Sequence, residues 1–100
     1  MNKSYVKINS VYRTNDYSLF SKLDGNRNIN KAHLTRLKKS IKEESLIVPI
    51  IVNEKYEIID GQHRFECWEG LMLPVYYVVV KGYGLKQVQR INANSMNWKL

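Results

Sequence analysis

The chain has 100 residues, 44% of them hydrophobic and 25% charged, which fits a single domain spanning 1–100 with a modest core and excludes a second domain. Its apolar runs are far shorter than the ~20 residues that a membrane span requires, and its polar start is not a signal peptide. We therefore expect a cytoplasmic protein. The single cysteine, Cys67, fits a reducing compartment because it has no partner for an internal disulfide.

The net charge of +7 is concentrated at the start of the chain. Residues 1–42 hold ten Lys and Arg against two acids, whereas residues 43–100 hold six against seven. A basic half of this kind could bind nucleic acid or attract a nucleotide. Alternatively, its cations are the solvated side of an amphipathic helix. The cations concerned are Lys31, Arg36, Lys38, Lys39 and Lys42.

The first elements in chain order are a strand, a loop and a helix. Alternating apolar residues predict a strand near 5–12. Residues 13–30 are polar and predict a loop with one short strand or turn near 19–23. Asn30 is a good N-cap for a helix over 31–44. The apolar positions of this helix recur at helical spacing and are Leu34, Leu37 and Ile41.

A hairpin and a second helix are predicted next. Two apolar strands, near 48–53 and 56–60, are separated by a short turn and should pair with each other. The helix that follows should run to about Glu69, with Gly70 as its C-terminal cap.

The last part of the chain predicts one strand and one helix. Pro74 should introduce a strand through Val80, whose β-branched and aromatic run lacks polar alternation. Such a run predicts the central strand of the sheet, buried on both faces. A final helix is expected at about 85–93. The whole pattern indicates an α+β fold with a mixed sheet of four or five strands and about three helices.

The most informative motif is the turn Asp60-Gly61-Gln62-His63-Arg64, where an apolar strand runs into a helix. Glycine permits a tight turn, and a helix start offers unpaired N–H groups to an anion. An arginine can bind two phosphate oxygens with its planar fork, and a carboxylate beside it could hold Mg²⁺. Each residue also has an ordinary structural alternative: Asp60 as a helix cap, His63 bonded to a loop carbonyl, Arg64 as a solvated surface residue.

The motif and its surroundings resemble the ParB/sulfiredoxin-like domain family, including the branch known as "ParB-like nuclease". That family carries an apolar strand, a Gly-x-x-Arg box opening a helix, and a later strand led by Leu-Pro, here Leu73-Pro74. The proline-introduced strand around Pro49 is similar to the family's first box. The resemblance covers about residues 5–94 and is greatest to phage and bacterial members with this Asp-Gly-Gln-His-Arg box.

The resemblance implies a nucleotide site, and the chemistry of the turn makes Mg²⁺ the expected cofactor, with Asp60 as its ligand. Asp60, which supports catalysis in a related branch, and His63, which could act as an acid or base, are the expected catalytic residues. Phosphate and nucleotide contacts are expected from Gly61, Gln62, His63, Arg64, Arg27, Asn28 and Pro49. A homodimer is a further expectation, and the chain could be the N-terminal part of a longer protein.

Gln62 narrows the activities that the resemblance allows. Sulfiredoxins place their reactive cysteine at this position, and ParB partition proteins place a glutamate there. Because a carboxamide is neither a nucleophile nor a base, sulfiredoxin activity is not expected. Nucleotide hydrolysis and phosphoryl transfer stay open. So do a DNA nuclease and a non-catalytic module of phage origin that binds nucleic acid or a host protein.

Overall fold

The computed structural model describes residues 4, 6–23, 30–44 and 48–96. Over these residues the chain forms a five-stranded mixed sheet with three α-helices, which confirms the predicted α+β fold. The strands are β1 (Tyr12–Thr14), β2 (Ser21–Lys22), β3 (Ile50–Val52), β4 (Glu57–Asp60) and β5 (Val75–Val79). The α-helices are α1 (Lys31–Glu43), α2 (Gln62–Gly70) and α3 (Leu85–Met96), and a 3-10 helix covers Tyr17–Leu19. None of the helices in these ranges has the length and apolar character needed to cross a membrane.

The sheet has the strand order β1-β5-β3-β4-β2. Strand β3 pairs antiparallel with β4, as predicted for a hairpin, and parallel with β5 on its other side. The short strands β1 and β2 form the two edges, β1 antiparallel to β5 and β2 parallel to β4. Strand β3 is therefore central, and its first residue, Ile50, lies next to the turn that opens α2.

The main core lies between the sheet and the helices α1 and α2. Inward-facing residues of β3, β4 and β5 meet the apolar sides of the two helices, and such burial is the main stabilising term of a small domain. Its most buried members are Ile50, Val52, Ile58, Cys67, Trp68 and Val75. Cys67 packs in this core as a small apolar residue. Helix α3 contacts β4, and its Val88 is fully buried.

Helix α1 begins where the sequence predicts. The Asn30 side chain accepts a hydrogen bond from the His33 N–H at 3.0 Å, so Asn30 is the N-cap. The apolar positions Leu34 and Leu37 pack against the core, and Ile41 is buried in it. This cap fixes the start of α1, and the start of α1 forms one wall of the candidate site described below.

The predicted strand near 5–12 is wrong, because strand β1 begins only at Tyr12. Residues 6–11 form no ladder, and the side chains of Val6 and Ile8 are 84% and 86% exposed. Alternation of apolar residues produces a strand only where a sheet face is available to bury one side of it. Residues 24–29 of the predicted loop lie outside the described residues.

Two further details differ from the sequence predictions. Gly70 is the last residue of α2 and not its cap; the left-handed residue is Met72, with φ of 59°. The Met72 and Leu73 N–H groups donate to the carbonyls of Glu69 and Trp68, which closes the helix end. Strand β5 was predicted to be central, but it is second from the edge because β1 covers its outer side.

Candidate functional site

The turn between β4 and α2 places a left-handed glycine directly against the central strand. Gly61 is the N-cap of α2 and has φ of 99° and ψ of 24°. A Cβ at this position would lie 2.5 Å from Cγ2 of Ile50 and 2.9 Å from a terminal nitrogen of Arg64. Glycine is therefore required twice, by its backbone conformation and by its contact with the core.

Arg64 points back to the chain that enters β3. Its Nε donates to the carbonyl of Val48 at 2.9 Å, and Nη2 donates to the carbonyl of Pro49 at 3.0 Å. Its guanidinium also lies 6.0 Å from the centre of the Trp68 ring. Burial lowers the pKa of Arg64 from its ordinary value, and the negative charge of Asp60 partly offsets this shift.

Arg64 is thus a structural link as well as a cation. Its contacts with described residues use two of the five N–H groups that a guanidinium carries. The Pro49 residue that was predicted to contact a nucleotide is held by this link. Sequence patterns do not reveal this link, because the two carbonyls belong to a segment some fifteen residues before Arg64.

We expect Arg64→Lys to lower the free energy of unfolding by about 1–2 kcal/mol, because a lysine ammonium cannot reproduce the fork that reaches both carbonyls. Urea denaturation of the two proteins measures the difference. Arg90→Lys, at an exposed position of α3, is the control and should have no effect. Equal stability of Arg64→Lys and the wild type would mean that the carbonyl contacts contribute nothing.

His63 joins the starts of the two helices. Its Nε2 accepts a hydrogen bond from the backbone N–H of Asn30 at 3.0 Å, so the proton of the neutral ring is on Nδ1. The rings of His63 and His33 are 4.8 Å apart and meet edge to face. As a general base through Nε2, His63 would have to give up the bond to Asn30. Its geometry therefore suits positioning and binding better than proton transfer at that nitrogen.

A polar cleft of about 300 Å³ opens between the first turns of α1 and α2. The residues that line it are Asn30, His33, Arg36 and His63. His33 was not among the predicted site residues. The sequence does place His33 three residues after the N-cap, in the first turn of α1. Its contact with His63 cannot be read from the sequence, because that contact depends on how α1 packs against α2.

The predicted metal ligand Asp60 ends β4 and is half-buried. Across the described parts of the chain, no group of three His, Cys, Asp or Glu residues could hold a metal ion. Glu66, the nearest acid on α2 in sequence, is in an ion pair with Lys22 at 3.0 Å. A single carboxylate suits Mg²⁺ that is bound largely through phosphate oxygens. Gln62 is buried and lies at the start of α2.

The predicted basic surface of α1 is divided among different surroundings. Arg36 lines the polar cleft, and Lys42 lines a separate cavity of about 360 Å³ with Ile41, Leu71 and Leu73. Lys38 is half-buried, with its Nζ next to Gly70. Lys31 and Lys39 are exposed. The predicted phosphate contacts Arg27 and Asn28 lie outside the described residues.

Comparisons with known proteins agree with this architecture. The crystal structure of the C-terminally truncated chromosome-partitioning protein ParB from Caulobacter crescentus, complexed with CTP-γ-S, is similar with a TM-score of 0.69 and 20% identity. The match covers 91% of this chain and 56% of that one. A Pnob8-like ParB-N domain is similar with a TM-score of 0.61 and 18% identity, over 93% of this chain and 39% of that one.

The chain thus spans 56% and 39% of the lengths of these two solved chains. No curated protein sequence matches it significantly. The family model of the ParB N-terminal domain matches residues 9–95, nearly the whole chain. Apart from the last residue of α3, the strands, the glycine turn and the three helices described above lie within that match, and the chain belongs to the ParB N-terminal domain family.

Proposed function

We propose that this domain binds a nucleoside triphosphate with Mg²⁺ at the turn between β4 and α2. The observation that carries the proposal is the polar cleft at the starts of α1 and α2, which brings His33, Arg36 and His63 together beside the glycine turn. Helix starts favour negative charge, and imidazole and guanidinium groups donate to phosphate oxygens. A similar solved protein was crystallised with CTP-γ-S, which supports the same ligand class.

Each residue of the box at 60–64 has its own role in the proposed binding of the nucleotide. The backbone at Gly61 and Gln62 faces the phosphates, and His63 lines the cleft that receives them. Arg64 keeps the Pro49 segment in place and offers its remaining N–H groups to the ligand. Asp60 holds Mg²⁺ together with phosphate oxygens. Arg27 and Asn28, which lie outside the described residues, are proposed as further phosphate contacts.

Binding without rapid turnover is the activity that the geometry supports best. Gln62 cannot act as a base, and the Nε2 atom of His63 is engaged by Asn30. A glutamine can orient an attacking water but cannot deprotonate it, so Gln62 by itself supports only slow hydrolysis. We therefore infer that nucleotide occupancy, and not its hydrolysis, is the primary function of the site.

Calorimetric titration with ATP, ADP, CTP and GTP in the presence of Mg²⁺ tests this proposal. We expect saturable binding of at least one triphosphate, weakened about tenfold or more by His63→Ala, since a charge-assisted hydrogen bond contributes about 1.5–3 kcal/mol. Glu69→Ala, an equivalent truncation at the exposed far end of α2, should bind like the wild type. Asp60→Asn should reduce the dependence on Mg²⁺.

Both His63→Ala and Arg64→Ala also remove structural links, to Asn30 and to Val48 and Pro49 respectively, so a loss of binding counts only in a variant that unfolds at the same urea concentration as the wild type. Absence of binding by every nucleotide would overturn the proposal. Binding of DNA that weakens steeply as salt increases would then favour a nucleic-acid module that uses the exposed Lys31 and Lys39. Release of inorganic phosphate from a bound triphosphate would show that the site is catalytic.

A further inference from the structure

The polar cleft receives side chains from two helices, and its α1 side is not part of the glycine turn. His33 and Arg36 are three residues apart on α1 and so lie on one side of that helix. Both line the same space of about 300 Å³ as His63, which comes from α2. The helix that carries the box and the helix that precedes it thus share one pocket.

The charges around this pocket favour an anion. The described residues that line it comprise one amide, two imidazoles and one guanidinium, and none of them is acidic. Of the neighbouring acids, Glu66 forms an ion pair with Lys22 at 3.0 Å. The negative charge of Asp60 interacts with the guanidinium of Arg64. The guanidinium of Arg36 belongs to an exposed residue, so it can move to meet a ligand without breaking the core.

The size of the pocket distinguishes phosphate groups from a whole nucleotide. Sites that enclose a complete small ligand run from about 300 to 1,000 Å³, and this cleft is at the lower limit. A polyphosphate chain fits such a space more readily than a base and ribose together. A nucleotide held at the Gly61 turn would then extend its outer phosphates toward α1.

We propose that Arg36 and His33 bind the outer phosphates of the nucleotide, and so make the site selective for triphosphates over monophosphates. The inference rests on the proposed function above and names the part of the ligand that α1 recognises. The hydrogen bond between Asn30 and His63 joins the two walls of the cleft. Occupancy by a triphosphate therefore ties α1 to α2, whereas a monophosphate at the turn contacts only α2.

The test compares affinities for two series of nucleotides that carry one, two and three phosphates: CMP, CDP and CTP in the first, and AMP, ADP and ATP in the second. Inorganic triphosphate serves as a ligand without a base. In the wild type, affinity should rise with each added phosphate. Arg36→Gln should weaken triphosphate binding by about tenfold, the usual effect of losing one charge-assisted hydrogen bond. It should leave monophosphate binding nearly unchanged, and His33→Gln should have a smaller effect of the same kind.

Lys55→Gln is the matched control, since it removes one positive charge in the β3–β4 turn, at the opposite end of β4 from Gly61. It should leave the affinities for both series of nucleotides unchanged at fixed ionic strength. Suppose that nucleotides bind the wild type, but Arg36→Gln lowers the affinities for monophosphates and triphosphates equally, or lowers neither of them. This inference is then overturned while the proposed function stands. If no nucleotide and no triphosphate binds the wild type, both are overturned.

Discussion

Gly61→Ala is expected to lower the free energy of unfolding by about 2–4 kcal/mol, the range for overpacking combined with a strained backbone. The new methyl group would lie 2.5 Å from Cγ2 of Ile50, a side chain with no exposed surface in the central strand. Neither partner can move freely, because β3 pairs on both sides and α2 is anchored through Arg64. Urea denaturation followed by far-UV circular dichroism measures the loss.

Gly82→Ala separates the two causes of this loss. Gly82 also has a left-handed backbone, with φ of 87°, but a Cβ there would meet no atom within 4 Å. Its replacement should therefore cost only the conformational strain, about 1 kcal/mol. If both variants lost the same stability, the contact with Ile50 would have no energetic weight, and our account of the glycine at the start of α2 would be wrong.

Asn53→Ala should have an effect of similar size, a loss of about 2–4 kcal/mol, because one buried side chain satisfies four polar partners. Asn53 is 2% exposed. Its Nδ2 donates to Oε1 of Glu57 at 2.8 Å and to the carbonyl of Tyr83 at 3.0 Å. Its Oδ1 accepts from the N–H groups of Lys55 and Glu57. Alanine would leave these groups without their partner.

The bond to Tyr83 makes Asn53 important for α3 as well as for the hairpin. Tyr83 lies just before α3, and the neighbouring Gly82 N–H donates to the carboxylate of Glu54. Amide hydrogen exchange in Asn53→Ala should therefore accelerate both in the β3–β4 turn and at the start of α3. Asn15→Ala, at an exposed position, is the control. Faster exchange confined to the turn would contradict the link to α3.

Local signals in the sequence predicted most of the fold. The Asn30 cap and the spacing of Leu34, Leu37 and Ile41 predicted α1, and the apolar runs on either side of a polar turn predicted the β3–β4 hairpin. These features depend on residues a few positions apart. The end of α2 was misjudged because Met72 adopts a left-handed conformation that glycine usually supplies.

The candidate site was predictable only in part, for a physical reason. The box at residues 60–64 is contiguous, so its chemistry can be read from the sequence. The contact of Arg64 with Val48 and Pro49, and that of His63 with Asn30, join segments that meet only after the helices pack on the sheet. Whether His33 and Arg36 line the cleft depends on the same packing of the helices.

The strand order has a consequence for how the chain folds as it is synthesised. Among the described residues, strand β1 pairs with β5 alone, through Tyr12 opposite Tyr77, so β1 has no partner until β5, the last of these five strands, has been made. The β3–β4 hairpin and α2 are local and can form earlier. Until β5 emerges, one side of β3 remains an open edge. A chain truncated before Val75 would therefore keep this edge open and would be prone to pair with another chain.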